Sequence, residues 1–160
     1  MRERSASQEA RRAREFEAFV AGAAGRLLHA ATLLTAEPRR DNPRARRLLA
    51  LALAHTYASW DRLRGEDPYD TARRYLAVRF ARGAWHQFRQ KPGDGPLARL
   101  SAQERLILVL RMYEGVAEEQ TAALLGLSVD RVRAICARAT ATLLHPPRES
   151  APVIAKVAPS

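Results

Sequence analysis

Cysteine is nearly absent from this chain, since Cys136 is the one cysteine among 160 residues. An intrachain disulfide and a metal site built from several cysteines are therefore excluded. Because a chain without disulfides suits a reducing compartment, we expect a cytoplasmic location. We interpret Cys136 itself as a small packing residue.

Long uncharged apolar runs are also missing. A membrane-spanning helix needs about 18 such residues or more, and no run in the sequence reaches that length. The apolar segment after the basic N-terminus is interrupted by Glu15, Glu17, Arg26 and His29, which argues against a signal peptide. We therefore expect no membrane partner.

Lysine is scarce, so arginine supplies almost all of the positive charge. The net charge is +10, and the only lysines are Lys91 and Lys156. This excess favours a polyanionic partner, and the planar guanidinium group suits phosphates and guanine edges. GC-rich codons would produce the same alanine- and arginine-rich composition, so the charge needs a motif beside it.

Motifs for catalysis and metal binding are missing as well. The four histidines lie on different predicted helices at spacings unlike those of metal ligands; they are His29, His55, His86 and His145. The sequence contains no glycine-rich phosphate loop, nucleophile elbow or pair of carboxylates at catalytic spacing. We predict that the protein is not an enzyme and has no metal, cofactor or small-molecule ligand.

What the sequence does contain is helical periodicity. Apolar residues recur at steps of three and four over residues 9–34, which predicts a first helix. Asn42 before Pro43, and Asp67 before Pro68, are each typical of a helix start, because proline tolerates the first helical position. The predicted inner faces of the second and third helices are Ala45, Leu48, Leu49, Ala52, Leu53, Thr56, Tyr57 and Trp60, and Ala72, Tyr75, Leu76, Phe80 and Ala84.

A proline- and glycine-rich segment, QKPGDGP at residues 90–96, interrupts the helices and predicts a linker. Beyond it, Ser101 and Glu104 form a capping-box pattern for a fourth helix that ends near Glu114 and Gly115. The predicted fold is all-α, with two small helical domains. A three-helix bundle would occupy residues 1–89, the linker 90–98, a helix-turn-helix domain 99–145 and a disordered tail 146–160.

Residues 118–139 carry the helix-turn-helix pattern. Ala122 lies four residues before Gly126, and Val132 and Ile135 follow that glycine at six and nine residues. Two helices that cross steeply need a small residue, a left-handed glycine and apolar residues at these positions. Ser128 would cap the second helix.

Packing of the second helix predicts which of its faces is free. With Val129, Val132, Ile135 and Ala139 turned inward, a basic face remains that fits a DNA major groove. The start of the preceding helix would then meet backbone phosphates. The predicted DNA-binding residues are Gln120, Thr121, Ser128, Arg131, Arg133, Ala134 and Arg138. The alternative is a helical hairpin with a solvated basic face.

These residues resemble a known family. Residues 100–144 are similar to domain 4 of extracytoplasmic-function sigma factors, and residues 16–35 and 51–60 resemble domain 2 of the actinobacterial sigma-E-type branch. The resemblance implies a sigma-like transcription initiation factor that binds promoter DNA and recruits RNA polymerase. Domain 2 would dock on the polymerase clamp and melt the downstream promoter element, while domain 4 would read the upstream element and contact the polymerase flap.

The second helix departs from that family. Its usual pattern, E-D-L-x-Q-E, meets the basic clamp through carboxylates, whereas this chain has arginines at the first two positions. Like charges would repel at such an interface. The polymerase-binding residues that the resemblance implies are Arg46, Arg47, Leu48, Ala50 and Leu51, and this departure puts their clamp contact in doubt. In the third helix, Trp85 and Phe88 would either stack on unpaired bases or pack internally.

Two further interpretations stay open. The chain can be a degenerate sigma homologue that acts as a DNA-binding regulator, or binds another transcription protein, without docking on the clamp. It can also be a helical module that binds an anti-sigma-like protein through its apolar faces and does not bind DNA.

Overall fold

The computed structural model describes residues 2–63, 65–86 and 93–145. All regular structure in these ranges is helical, which confirms the all-α fold class. The helices are α1 (Arg2–Thr35), α2 (Pro43–Ser59), α3 (Pro68–His86), α4 (Ala102–Leu108), α5 (Glu118–Leu125) and α6 (Val129–Leu144). A short 3-10 helix, Trp60–Arg62, follows α2, and a π-helical turn, Val109–Tyr113, continues α4.

Helix α1 is the longest element and buries one apolar stripe. Leu27, Ala31 and Leu34 lie in the core at the predicted three- and four-residue steps. The helix begins at Arg2, before the predicted start near Glu9, because its early residues are good helix formers. By length and composition it could also cross a membrane, with a mean hydropathy of 1.3 over its most apolar 18 residues. The core helix of a soluble protein and a signal sequence near the N-terminus pass the same test.

The start of α2 differs from the prediction. The Asn42 side chain makes no capping bond to α2; its amide donates to Thr32 Oγ1 at 2.9 Å instead. The buried carboxylate of Glu37 accepts from the backbone amides of Arg44 at 3.0 Å and Ala45 at 2.8 Å. Glu37 is therefore the cap of α2, because its carboxylate accepts from amides at the helix start that have no partner within the helix.

Helices α2 and α3 pack side by side. Asp67 Oδ1 accepts from the Tyr69 amide at 2.9 Å, which confirms the predicted start of α3. Of the predicted α2 inner face, Ala45, Leu48, Ala52 and Thr56 are buried, and Leu49, Leu53 and Trp60 are half-buried. Tyr57 is 37% exposed, because its ring lies at the edge of the bundle against Phe16 and beneath Arg12. On α3, Ala72 and Leu76 are buried, and Tyr75 and Phe80 are half-buried.

The described part of the predicted linker is held against the end of α1. The Gly95 amide donates to the Ala36 carbonyl at 2.8 Å, and a β-carbon at Gly95 would lie 2.6 Å from that oxygen. Leu97 and Leu100 are buried in the core. This close approach explains why glycine occupies position 95. Residues 87–92, which include Phe88 and the first part of the linker, lie outside the described residues, as do the side chains of Ala84 and Trp85 and the predicted tail.

One apolar core contains residues from both halves of the chain. It contains residues of the N-terminal half (residues 2–86) and of the C-terminal half (residues 93–145), among them Ala30, Leu34, Leu48, Leu76, Leu106, Leu110 and Val116. The two predicted domains are therefore packed together in this structure. Their boundaries stay a prediction.

Candidate nucleic-acid interface

The turn between α5 and α6 depends on Gly126. This residue has φ +66° and ψ +34° and ends α5 in the left-handed conformation, which glycine adopts without a steric penalty. The Leu127 amide donates to the Ala122 carbonyl at 3.0 Å, which closes the turn. A β-carbon at Gly126 would meet no atom within 4 Å. The requirement for glycine is therefore conformational, as the sequence predicts.

A small apolar cluster holds α6 against α4 and α5. Ile107, Ala122, Val132 and Ile135 form it, and Ile107, Val132 and Ile135 are completely buried. Ala139 is buried one turn further along α6. These α6 positions are the ones predicted to face inward. The cluster sets the rotation of α6 about its own axis and so decides which of its side chains point outward.

The N-terminus of α6 is capped by Ser128. Its Oγ accepts from the Arg131 amide at 3.2 Å, which satisfies one of the amides that a helix start leaves free. Asp130 lies in the first turn, where a negative charge complements the helix dipole. The predicted cap is present, and it fixes the end of α6 that would enter a groove.

The outward face of α6 is basic. Arg131, Arg133, Ala134 and Arg138 are all exposed. The Arg131 guanidinium makes no hydrogen bond or ion pair with any residue that the structure describes. By helical spacing Arg131, Ala134 and Arg138 share one exposed face, and Arg133 lies to one side of it, beside α5.

Two of these arginines form ion pairs with carboxylates of the C-terminal half. Arg133 pairs with Glu118 at 2.9 Å and with Asp130 at 3.1 Å, and the hydrogen bond to Glu118 raises the pKa of Arg133. Arg138 pairs with Glu104 at 2.9 Å. Burial opposes ionisation of Glu104, but the hydrogen bonds from the Ser101 amide and from Arg138 outweigh it and lower the pKa of that carboxyl.

Comparison with known proteins identifies this part of the chain. A family profile described as Sigma-70, region 4, matches residues 97–144, which contain α4, α5 and α6. These residues are a sigma-70 region 4 domain. The chain is also 28% identical over 152 residues to the RNA polymerase sigma-E factor of Streptomyces coelicolor, in an alignment covering 81% of this chain and 84% of that protein. The search of solved structures found no match.

These matches confirm the resemblance to sigma factors, and with it the prediction of a non-enzymatic transcription factor that binds DNA through region 4. Sequence reasoning did not find the acidic partners of the region 4 arginines. Asp130 and Arg133 are three residues apart, so their pairing was visible in the helical spacing. Glu118 and Glu104 lie 15 and 34 residues from their arginines, and only the fold brings them close.

At the start of α5, the structure contradicts one of the predicted DNA contacts. Gln120 is exposed, as a phosphate contact requires. Thr121 is completely buried, its Oγ1 has no hydrogen-bond partner, and its amide donates to the Ala117 carbonyl. The reason is that Thr121 shares the inward face of α5 with Leu125, four residues on. The structure therefore does not support Thr121 as a DNA contact.

The polymerase-binding residues predicted on α2 are only partly accessible. Arg46, Arg47, Ala50 and Leu51 are exposed, whereas Leu48 is buried in the core and cannot contact a partner. Arg46 donates to Asn42 Oδ1 at 3.0 Å. Because the α2 sequence contains no aspartate or glutamate, its exposed surface carries positive charge without a nearby acid on the same helix.

Proposed function

We propose that this protein is a sigma-like transcription initiation factor that binds promoter DNA through α6 of its region 4 domain and recruits RNA polymerase in the cytoplasm. The observation that carries the proposal is the outward face of α6. An N-capped helix, which follows the left-handed turn at Gly126, exposes Arg131 and Arg138 on one face and Arg133 beside it.

The chemistry of that face suits a major groove. The free Arg131 guanidinium can donate two hydrogen bonds to a guanine edge, and Ala134 can contact a thymine methyl group. A bidentate contact of this kind discriminates against a wrong base by about 1–3 kcal/mol. Ser128 and Gln120 lie at helix starts, where phosphates are commonly bound.

The paired arginines can reach phosphate at little cost. Arg133 and Arg138 have side chains that are 60% and 58% exposed, and ion pairs at such sites contribute about 0–1 kcal/mol. Breaking these ion pairs to contact a phosphate therefore costs little.

The likeness to a sigma-E factor over most of the chain supports polymerase binding by the N-terminal half. The basic surface of α2 favours a second candidate, in which the chain is a degenerate homologue that regulates transcription from DNA without docking on the clamp. Exposed Arg47 is the observation behind it, because it would repel a basic clamp at close range.

Two binding measurements test the proposal. Arg131→Ala should weaken binding to a cognate promoter duplex about tenfold or more in fluorescence anisotropy, and the affinity should fall steeply with salt. Arg99→Ala is the matched control, since Arg99 is exposed in the same half but outside α6. Equal affinities for the two variants would contradict the assignment of α6.

The second measurement is a pull-down of core RNA polymerase with the full chain. A complex that starts transcripts at the same promoter supports the sigma-like function. Sequence-specific DNA binding without such a complex would favour the degenerate homologue, and gain of the complex by Arg46→Glu/Arg47→Glu would identify α2 as the cause.

A further inference from the structure

A cluster of arginines lies where the loop after α1 meets the start of α2. Arg39 and Arg40 belong to that loop, and Arg46 and Arg47 to the first turns of α2. All four are exposed, and we call the surface that they form the basic end. Arg39, Arg40 and Arg47 make no hydrogen bond or ion pair with any residue that the structure describes. Asp41 is the only acidic residue between positions 38 and 60.

The basic end is electrostatically unfavourable for the protein alone. A helix start favours negative charge because the helix dipole is positive there, yet the first turn of α2 contains no acidic residue. The buried carboxylate of Glu37 caps this start, but its charge is already matched by Arg44 at 3.2 Å. Arg46 and Arg47 therefore add positive charge where the helix is already positive, and a bound polyanion would offset both.

A cavity of about 160 Å³ opens beside Arg39. Two of its polar residues, Thr32 and Asn42, are each only 4% exposed. Asn42 Nδ2 donates one hydrogen bond, to Thr32 Oγ1, and its second hydrogen has no partner among the described residues. A phosphate oxygen that enters the cavity would have this amide and the Arg39 guanidinium as donors. The cavity is lined by Gly25, Leu28, His29, Thr32, Arg39 and Asn42.

The residues around these arginines favour duplex DNA over an acidic protein or a single strand. Protein interfaces have an apolar or aromatic centre, and single strands are bound by aromatic side chains that stack on bases. Residues 38–47 contain no aromatic residue, and apart from two prolines their one apolar side chain, Ala45, is buried. Interfaces with duplex DNA are instead polar and strongly positive.

We infer that the basic end binds the phosphate backbone of duplex DNA irrespective of base sequence, as a second DNA-binding surface of the protein. It shares no residue with α6, so its contacts add affinity without reading bases. Contacts of this kind let a protein slide along DNA towards its specific site. The inference goes beyond the proposed function and requires neither polymerase binding nor promoter reading by α6.

A triple variant, Arg39→Ala/Arg40→Ala/Arg47→Ala, tests the basic end in the full chain. These side chains have no described partner, so the variant should keep its helix content in circular dichroism. The probe is a fluorescent duplex of random sequence, titrated by anisotropy at several salt concentrations. Each lost phosphate contact lowers the slope of log K against log salt by about 0.9. We therefore expect a slope smaller by roughly 2–3 than that of the unmodified protein.

Arg4→Ala/Arg14→Ala/Arg62→Ala is the matched control. These three arginines are exposed and likewise have no described partner. The control removes the same charge at the opposite end of α2, where Arg12 of α1 pairs with Asp61 at 3.1 Å. Its salt slope should change by less than one phosphate contact, or about 0.9.

Lysine at the three positions separates charge from other effects of the substitution. Arg39→Lys/Arg40→Lys/Arg47→Lys keeps the positive charge, and phosphate binds lysine as a point charge. The salt slope should therefore match that of the unmodified protein. A decrease as large as that of the alanine variant would contradict an electrostatic contact with phosphate.

The outcomes distinguish this inference from the proposed function. A folded alanine variant with the same salt slope as the control would overturn the basic end as a DNA-binding surface and favour an acidic protein as its partner. If the inference holds, the alanine variant weakens binding to promoter and random duplexes by the same factor, whereas Arg131→Ala lowers the preference for the promoter. An unchanged preference in Arg131→Ala would contradict the assignment of α6 and leave the basic end in place.

Discussion

Replacing Gly126 with alanine tests the turn on which the orientation of α6 depends. The residue lies at φ +66°, where an L-residue with a β-carbon is less stable than glycine by about 1–2 kcal/mol. No atom lies within 4 Å of the added methyl group, so no steric clash adds to this cost. We expect Gly126→Ala to lower the free energy of unfolding by about 1–2 kcal/mol.

The same substitution at Gly22 provides a control of opposite sign. Gly22 lies in the interior of α1 and also has open space around an added β-carbon. Alanine in a helix interior is more stable than glycine by about 0.5–1 kcal/mol. Gly22→Ala should therefore raise the free energy of unfolding by about that amount.

Urea denaturation followed by circular dichroism measures both changes, as shifts of the transition midpoint at constant slope. Gly126→Asn should lie between glycine and alanine, because asparagine tolerates the left-handed region better than other residues. A Gly126→Ala protein as stable as the unmodified one would refute the reasoning. It would mean that the turn between α5 and α6 does not depend on a left-handed residue at position 126.

Two other predictions concern buried polar groups. Burial opposes ionisation of Glu37, but hydrogen bonds from the Ala45 and Arg44 amides outweigh it and lower the pKa of the carboxyl. Its stabilising effect is therefore full above an unfolded pKa of about 4.3 and is lost as the pH falls through the folded value. Thermal denaturation can be followed from pH 6 down to pH 3, roughly the range that spans that pKa. Glu37→Gln should lose less stability over this range than the unmodified protein. Equal losses would contradict the capping role. Thr121→Val replaces a buried hydroxyl without a partner, so it should raise the free energy of unfolding by about 1 kcal/mol in urea denaturation. Duplex affinity should not change, and a large loss of it would restore Thr121 as a DNA contact.

Local sequence patterns predicted the reading unit of the region 4 domain. The capping box of Ser101 and Glu104, the cap at Ser128 and the left-handed Gly126 each involve residues only a few positions apart. Their hydrogen bonds and backbone angles follow from the residues themselves, so a single sequence reveals them. The inward positions of α6 follow in the same way from helical periodicity.

Tertiary structure alone decided the features that depend on distant partners. Glu37 replaced Asn42 as the cap of α2 because the end of α1 brings its carboxylate to the α2 amides. Glu114 lies 45 residues from Tyr69 along the chain, and no spacing rule relates them. Helical periodicity predicts which face of a helix is buried. Which other helix covers that face depends on how the helices pack together. The packing of the two predicted domains around one core belongs to this second kind of information.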